Sequence, residues 1–210
     1  MFVIGVTGGI GAGKSSFARF LAEAGLPLID ADQISHELTQ AGGRSMAQIA
    51  AVFGDAYLKK DGSLDREAMA ALAFRDKKSL DSLSAIIHQD VIWTIDQRLA
   101  TLSQTGSQAV VLDVPIPVKH GFLDRCDLVI CVWADDQIRL DRLAKRGMPP
   151  EEARRRMAVQ LSREEYENLS DILLLNNGSL DDLRSRAQEI LQAELSSRGI
   201  PFQDLLSQSS

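Results

Sequence analysis

The sequence predicts an α/β fold: a parallel sheet of five strands flanked by helices in three layers, with an inserted helical domain and a lid. Three observations carry this. Five short apolar runs recur along the 210 residues, at 2–7, 26–29, 110–113, 127–132 and 171–175. A glycine-rich turn joins the first run to a helical pattern. About seventy residues of helical pattern then separate the second run from the third, which is too long for one crossover between neighbouring parallel strands.

Phe2-Val3-Ile4-Gly5-Val6-Thr7 suits a buried strand, and residues 14–24 suit a helix. Phe17, Phe20, Leu21 and Ala24 fall on one face of that helix, at i, i+3, i+4 and i+7. Gly25 follows as a helix stop. Between strand and helix, Gly8-Gly9-Ile10-Gly11-Ala12-Gly13-Lys14-Ser15 fits G-x-x-x-x-G-K-[ST], the Walker A phosphate loop. Its glycines let backbone N–H groups turn inward around a polyphosphate, and the helix start adds partial positive charge. Lys14 is the candidate for the β- and γ-phosphates, and the Ser15 hydroxyl for Mg²⁺. The motif predicts a bound nucleoside triphosphate. It leaves the acceptor of the phosphate open.

The second run ends in Asp30-Ala31-Asp32. In an extended segment residues 30 and 32 share a side, just past a strand end, where α/β sheets place ligands. Two readings stand for Asp32: a functional carboxylate, or the N-cap of a helix starting near Gln33. Helical patterns follow at 46–53, 63–74 and 79–102, with Asp61-Gly62 as a turn and Ser63 as N-cap. Within them His88 lies among Ile86, Ile87 and Val91, and reads first as a structural histidine. Trp93 reads as core. Asp113, at the end of the third strand, resembles the Walker B carboxylate that holds Mg²⁺ through water, with a strand-end cap as the alternative. Pro115 and Pro117 predict an irregular segment.

Residues 139–163 hold eight bases (Arg139, Arg142, Lys145, Arg146, Arg154, Arg155, Arg156, Arg163) against three acids (Asp141, Glu151, Glu152), inside a chain of net charge −6. Arg142 and Arg146 share a helix face. A break at Gly147-Met148-Pro149-Pro150 and a second helix follow. Helix, break and helix with clustered guanidiniums make a reasonable lid over phosphates. The fifth run leads through Asn176-Asn177-Gly178 to an N-cap at Ser179 and a helix over 180–195. Residues past Ser197 read as a loosely held tail.

The bulk numbers limit the alternatives. Composition is that of a globular protein, 45% hydrophobic and 25% charged. The acidic balance, Asp+Glu 29 against Lys+Arg 23, argues against a general nucleic-acid or anionic-membrane partner. Cys126 and Cys131 form no C-x-x-C pair, and three scattered histidines predict no zinc site. No apolar run approaches eighteen residues and no basic leader precedes the first strand, so a cytoplasmic protein without a membrane partner is expected.

Taken together, Thr7 to Ser15 followed by Ile29-Asp30-Ala31-Asp32 resembles dephospho-coenzyme A kinase, a P-loop family akin to the nucleoside monophosphate kinases. The resemblance runs over nearly the whole chain. Gly62 to Arg66 is similar to the family segment ahead of a subdomain helix, and Ile86-Ile87-His88 to its Leu-His-Pro element. Arg142 and Arg146 match its paired lid arginines, and Asn176-Asn177-Gly178 its loop near adenine. The resemblance implies ATP and Mg²⁺ as cofactors and the dephospho-CoA ribose 3′-hydroxyl as acceptor. It implies Asp32 as catalytic base, with Lys14, Arg142 and Arg146 beside the migrating phosphoryl group. Gly8, Gly9, Gly11, Ala12, Gly13, Lys14, Ser15, Ser16, Asn176 and Asn177 are then nucleotide contacts. Asp32, Arg66 and His88 are acceptor contacts, and Ser15 and Asp113 metal contacts.

The implied organisation is a nucleotide core of 1–31, 105–138 and 167–200, an acceptor domain of 32–104, a lid of 139–166 and a tail of 201–210, as a monomer or weak homo-oligomer. Three places depart from the family pattern: Gln89 stands for a proline, Pro115 to His120 replaces a Pro-Leu-Leu-Phe-Glu run, and Arg139 stands where glutamine is common. Rival readings are another small-molecule kinase of this architecture, a regulatory NTPase, and a non-catalytic binder. The absence of an Asn-Lys-x-Asp motif speaks against a GTPase switch.

Overall fold

The computed structural model describes residues 1–114 and 121–207, leaving out some side chains within 70–75. The irregular segment expected at Pro115 to His120 lies outside the described residues. The chain divides into two compact units, Met1–Ile29 with Leu102–Ser210, and Asp30–Thr101.

The first unit is built on a five-stranded sheet of β1 (Phe2–Gly8), β2 (Leu28–Asp30), β3 (Ala109–Asp113), β4 (Leu128–Trp133) and β5 (Ile172–Leu175). Their order is β2-β3-β1-β4-β5. The pairs β1–β3, β1–β4 and β4–β5 are parallel, with Val6 opposite Asp113 on one side and Ile130 on the other. β1, β3 and β4, buried along nearly their whole length, read as continuous apolar runs, which is why they stand out in the sequence. One face packs on α1 (Lys14–Glu23) and α9 (Leu180–Leu195): Ile4, Val6, Val111, Ile130, Val132 and Leu174 meet Phe17, Phe20, Leu21, Leu183, Ala187 and Leu191. On the other, Cys131 and Trp133 pack against Tyr166 of α8 (Arg163–Asn168). Helices α6 (Asp136–Lys145) and α7 (Pro150–Ala158) precede α8, with Pro150 at the start of α7 as its fixed φ allows.

The second unit holds α2 (Ala31–Leu38), α3 (Met46–Phe53), α4 (Arg66–Arg75) and most of α5 (Lys77–Gln104). Its core is Met46, Ile49, Leu64, Met69 and Ile86.

Four expectations need correction. Ala31 is already helical, so Asp30 and Asp32 do not lie along an extended segment, and Asp30 rather than Asp32 caps α2, its Oδ1 accepting from Gln33 N at 3.0 Å. Asp65, not Ser63, caps α4 through Glu67 N and Ala68 N; Ser63 is held by Asp61 in the preceding turn. Trp93 is not core: it is 45% exposed beneath the Arg44 guanidinium, 3.8 Å from the ring centre, and Arg44 is fixed by Asp90 at 2.9 Å. The tail to residue 207 is not loose. Gln203 N donates to Ala24 O at 2.8 Å, Leu205 N donates to Gln188 Oε1 at 3.0 Å, and Leu205 is fully buried in the main core.

Candidate active site

The phosphate loop lies at the C-terminal end of β1, the central strand. Three of its glycines have left-handed φ: Gly8 at 151°, Gly11 at 79° and Gly13 at 106°. Close packing reinforces the need at two of them. A Cβ on Gly8 would run into the Val132 carbonyl, and one on Gly13 into Asn176 Nδ2. The loop closes on itself through Ala12 N to Gly9 O at 3.1 Å, and Ser16 and Phe17 N both reach Gly13 O at 3.0 Å. Those bonds leave the N–H groups of Gly11, Gly13 and Ser15 without an intramolecular acceptor among the described residues. Donors of this kind at a helix start form an anion site.

The loop is held by side chains from distant elements. Asn176, just past β5 and 6% exposed, donates from Nδ2 to Ala12 O at 2.7 Å. Arg142 of α6 donates to the same carbonyl at 3.3 Å and to Gly178 O at 3.2 Å. Arg139 Nε donates to Ile10 O at 2.9 Å, while Gln160 Oε1 accepts from Ile10 N at 2.9 Å and from Arg139 Nη2 at 3.0 Å. Lys14 Nζ pairs with Asp113, whose carboxylate at the end of β3 is 4% exposed. A carboxylate so buried requires a cation.

Beside the loop opens a cavity of about 250 Å³. Gly13, Ser16, Arg142, Arg146, Asn176 and Leu180 are among its walls. Arg142 is pulled below the usual arginine range, first by burial and then by the neighbouring positive charge of Arg146. Two guanidiniums placed to repel each other beside unfilled N–H donors make an environment that an anion relieves. Buried Arg139 is also pulled down, chiefly by desolvation, against the opposing charge of Asp136.

The expected residues fall into two groups. Gly8, Gly9, Gly11, Ala12, Gly13, Lys14, Ser15, Ser16, Asp113, Arg142, Arg146 and Asn176 gather around the loop in the first unit. Asn177 points its amide elsewhere, receiving Asp135 N at 3.0 Å and donating to Asp135 Oδ2 at 2.9 Å. Asp32, Arg66 and His88 belong to the second unit. Asp32 is exposed in the first turn of α2, Arg66 donates to Thr39 Oγ1 at 2.7 Å, and His88 is half-buried on α5. Sequence reasoning missed Gln160 and gave no structural role to Arg139. A glutamine after a short helix has no local signature, and only the departure at Arg139 marked the place.

Among the described residues no cluster of three His, Cys, Asp or Glu side chains is placed to hold a metal, and no helix is long and apolar enough to cross a membrane.

The chain is similar to known proteins over nearly its full length. Residues 2–182 match the family model for dephospho-CoA kinase. A Thermobifida fusca dephospho-CoA kinase is 40% identical over 202 residues, covering 94% of this chain and 100% of the relative. A Corynebacterium glutamicum dephospho-CoA kinase is 37% identical over 199 residues, covering 94% and 99%. Among solved structures, a Thermus thermophilus protein superposes with TM-score 0.78 at 32% identity, covering 92% of this chain and 97% of that one. The dephospho-CoA kinase of Campylobacter jejuni, at 24% identity and TM-score 0.70, shares the fold, covering 94% and 98%. Phosphate loop, arginine pair and this similarity over nearly the full length lead to one conclusion: the chain belongs to the dephospho-CoA kinase family.

Proposed function

We propose that the protein transfers the γ-phosphoryl group of ATP to the ribose 3′-hydroxyl of dephospho-CoA, giving coenzyme A and ADP. The observation that carries the reading is the loop from Gly8 to Ser15, with unfilled N–H donors beside the Arg142 and Arg146 pair. Family membership supports the choice of acceptor.

Phosphoryl transfer needs little covalent help, so alignment and charge do most of the work. Loop N–H groups hold the β-phosphate, and the cavity walled by Asn176 and Leu180 takes the nucleoside. Lys14, released from Asp113 toward phosphate oxygen, and Arg142 and Arg146 stabilise the charge spread over the moving group. Asp32 orients the acceptor hydroxyl and takes its proton. Arg66 and His88 belong to acceptor binding. The donor set suits Mg²⁺, a hard ion that commonly takes one or two protein oxygens and completes its shell with phosphate and water. The Ser15 hydroxyl would hold the ion directly and the Asp113 carboxylate would hold it through water, and the ion would neutralise charge on the phosphates. Residues 139–166 act as a lid that excludes water, and residues 32–104 carry the acceptor. A cytoplasmic setting fits the composition.

The test is ADP release with ATP and Mg²⁺, comparing dephospho-CoA with AMP, adenosine and shikimate, with product mass read alongside. ADP release dependent on dephospho-CoA and a product one phosphate heavier are expected. Release that ignores the acceptor, or a faster reaction with another acceptor, overturns the reading.

A further inference from the structure

Ile10 stands at the outer bend of the phosphate loop, between Gly9 and the left-handed Gly11. Both polar groups of residue 10 are taken by side chains from far along the chain. Arg139, 129 residues away, donates Nε to its carbonyl, and Gln160, 150 residues away, accepts from its N–H. The two side chains are tied to each other through Arg139 Nη2 and Gln160 Oε1 at 3.0 Å. Arg139 is itself fixed: it is 3% exposed, its guanidinium lies 4.8 Å from the Trp133 ring centre, and Nη1 reaches Asp136 at 3.3 Å. Gln160 stands just past α7, whose last residue is Ala158.

Gly9 supplies independent support. The Walker pattern leaves that position open to any residue. Gly9 is not among the glycines with left-handed φ, so its backbone does not demand glycine. Space does: a Cβ would sit 2.6 Å from Arg139 Nη2 and 3.1 Å from Gln160 Oε1. The clamp explains a glycine that the phosphate motif does not.

We propose that Arg139 and Gln160 are positioning residues, a clamp that grips residue 10 and holds the phosphate loop open for nucleotide. The proposal rests on the kinase reading of the same loop. The Ala12 N–H to Gly9 carbonyl bond closes the bend from inside, and with both polar groups of Ile10 satisfied from outside the inner N–H groups stay turned toward the anion. Because Gln160 follows α7, a displacement at the end of that helix is felt at the loop. Both act through residue 10.

The experiment titrates the full-length protein with ADP by calorimetry and measures KM for ATP and for dephospho-CoA in four variants. Gln160→Met keeps length and volume but removes the acceptor oxygen. ADP binding should weaken about tenfold, the equivalent of one good hydrogen bond, with KM for ATP rising in step and KM for dephospho-CoA within about twofold. Gln160→Glu keeps an acceptor for Ile10 N–H and should stay within about threefold of wild type. Arg139→Lys, which keeps the charge but loses the fork, and Gly9→Ala, which crowds the clamp, should both weaken ADP several-fold. These two keep the test alive should Gln160→Met fold poorly. Unchanged ADP affinity in Gln160→Met and Arg139→Lys overturns the clamp. So does equal loss in Gln160→Glu and Gln160→Met, or a parallel rise in both KM values. A wild-type protein that binds no nucleotide overturns the kinase reading and the clamp together; a wild type that binds, with variants that bind equally well, overturns the clamp alone.

Discussion

Replacing Gly13 by alanine tests how the loop is held. Gly13 has φ of 106°, where an L side chain costs about 1–2 kcal/mol. The new methyl also runs into Asn176 Nδ2, so the amide has to swing away from Ala12 O. That hydrogen bond is buried and worth about 1 kcal/mol. Arg142 remains on the same carbonyl at 3.3 Å, which limits the loss. The total is about 2–3 kcal/mol, or a fall in Tm of about 4–12 °C for a chain of this size. Urea and thermal unfolding of Gly13→Ala, Asn176→Ala and the double variant provide the assay. Once Asn176 is truncated the methyl has room, so the double variant should be more stable than the sum of the singles by about 1 kcal/mol. Additivity within about 0.3 kcal/mol, or a Gly13→Ala protein as stable as wild type, would refute the reasoning.

Other outcomes follow from the same geometry. Asp32→Asn should cut turnover by about 10²–10⁴-fold, the range for loss of a general base; near-native turnover in steady-state assays removes Asp32 from the mechanism. Lys14→Ala and Arg146→Ala should lower kcat more than they raise KM for the acceptor, and an unchanged kcat in either ends its assigned role. Leu205→Ala should cost about 2–5 kcal/mol in urea unfolding, because that side chain is fully buried in the main core; a loss below about 0.5 kcal/mol would mean the tail is not docked. Stability should also fall in alkali. Cys126 is pushed up to about 12 by burial, helped by Asp127, and Cys131 to about 12 by burial against the opposing Arg139. Unfolded thiols ionise near roughly 8.5, so above that pH the unfolded chain sheds protons that the folded chain keeps. Stability that is complete below that pH is lost toward pH 12, by about 1.4 kcal/mol per pH unit for each thiol. Urea midpoints at several pH values between 8 and 11 should fall more steeply for wild type than for Cys126→Ala/Cys131→Ala, and equal slopes would contradict the assignment.

What the sequence made legible was whatever rests on local pattern. Helices α3 and α9 begin and end where periodicity placed them, at Met46 and Phe53, and at Leu180 and Leu195. Strands β1, β3 and β4 stood out because burial on both faces leaves no polar alternation. The loop glycines followed from one motif. Features made by distant partners were hidden. Trp93 looks like core in a helical pattern, and only Arg44, far off in sequence, shows that it is a half-exposed platform. Leu205 sits in a polar stretch whose docking depends on Gln188 and Ala24. Asp65 outcompeted Ser63 as a cap because Asp61 had already engaged the serine. Gln160 reaches Ile10 across 150 residues, which no window of sequence displays.

The strand order carries a consequence for how the molecule is made. β1 leaves the ribosome before the other strands of its sheet, yet both of its neighbours, β3 and β4, are encoded more than a hundred residues later. Until Ala109–Asp113 emerges, a bare apolar ribbon has nothing to zip against, and long-range pairings of this kind form slowly. The segment that reads most clearly on paper is therefore among the last to acquire its working shape. A nascent chain halted before β3 would carry the complete phosphate motif and still have no nucleotide site.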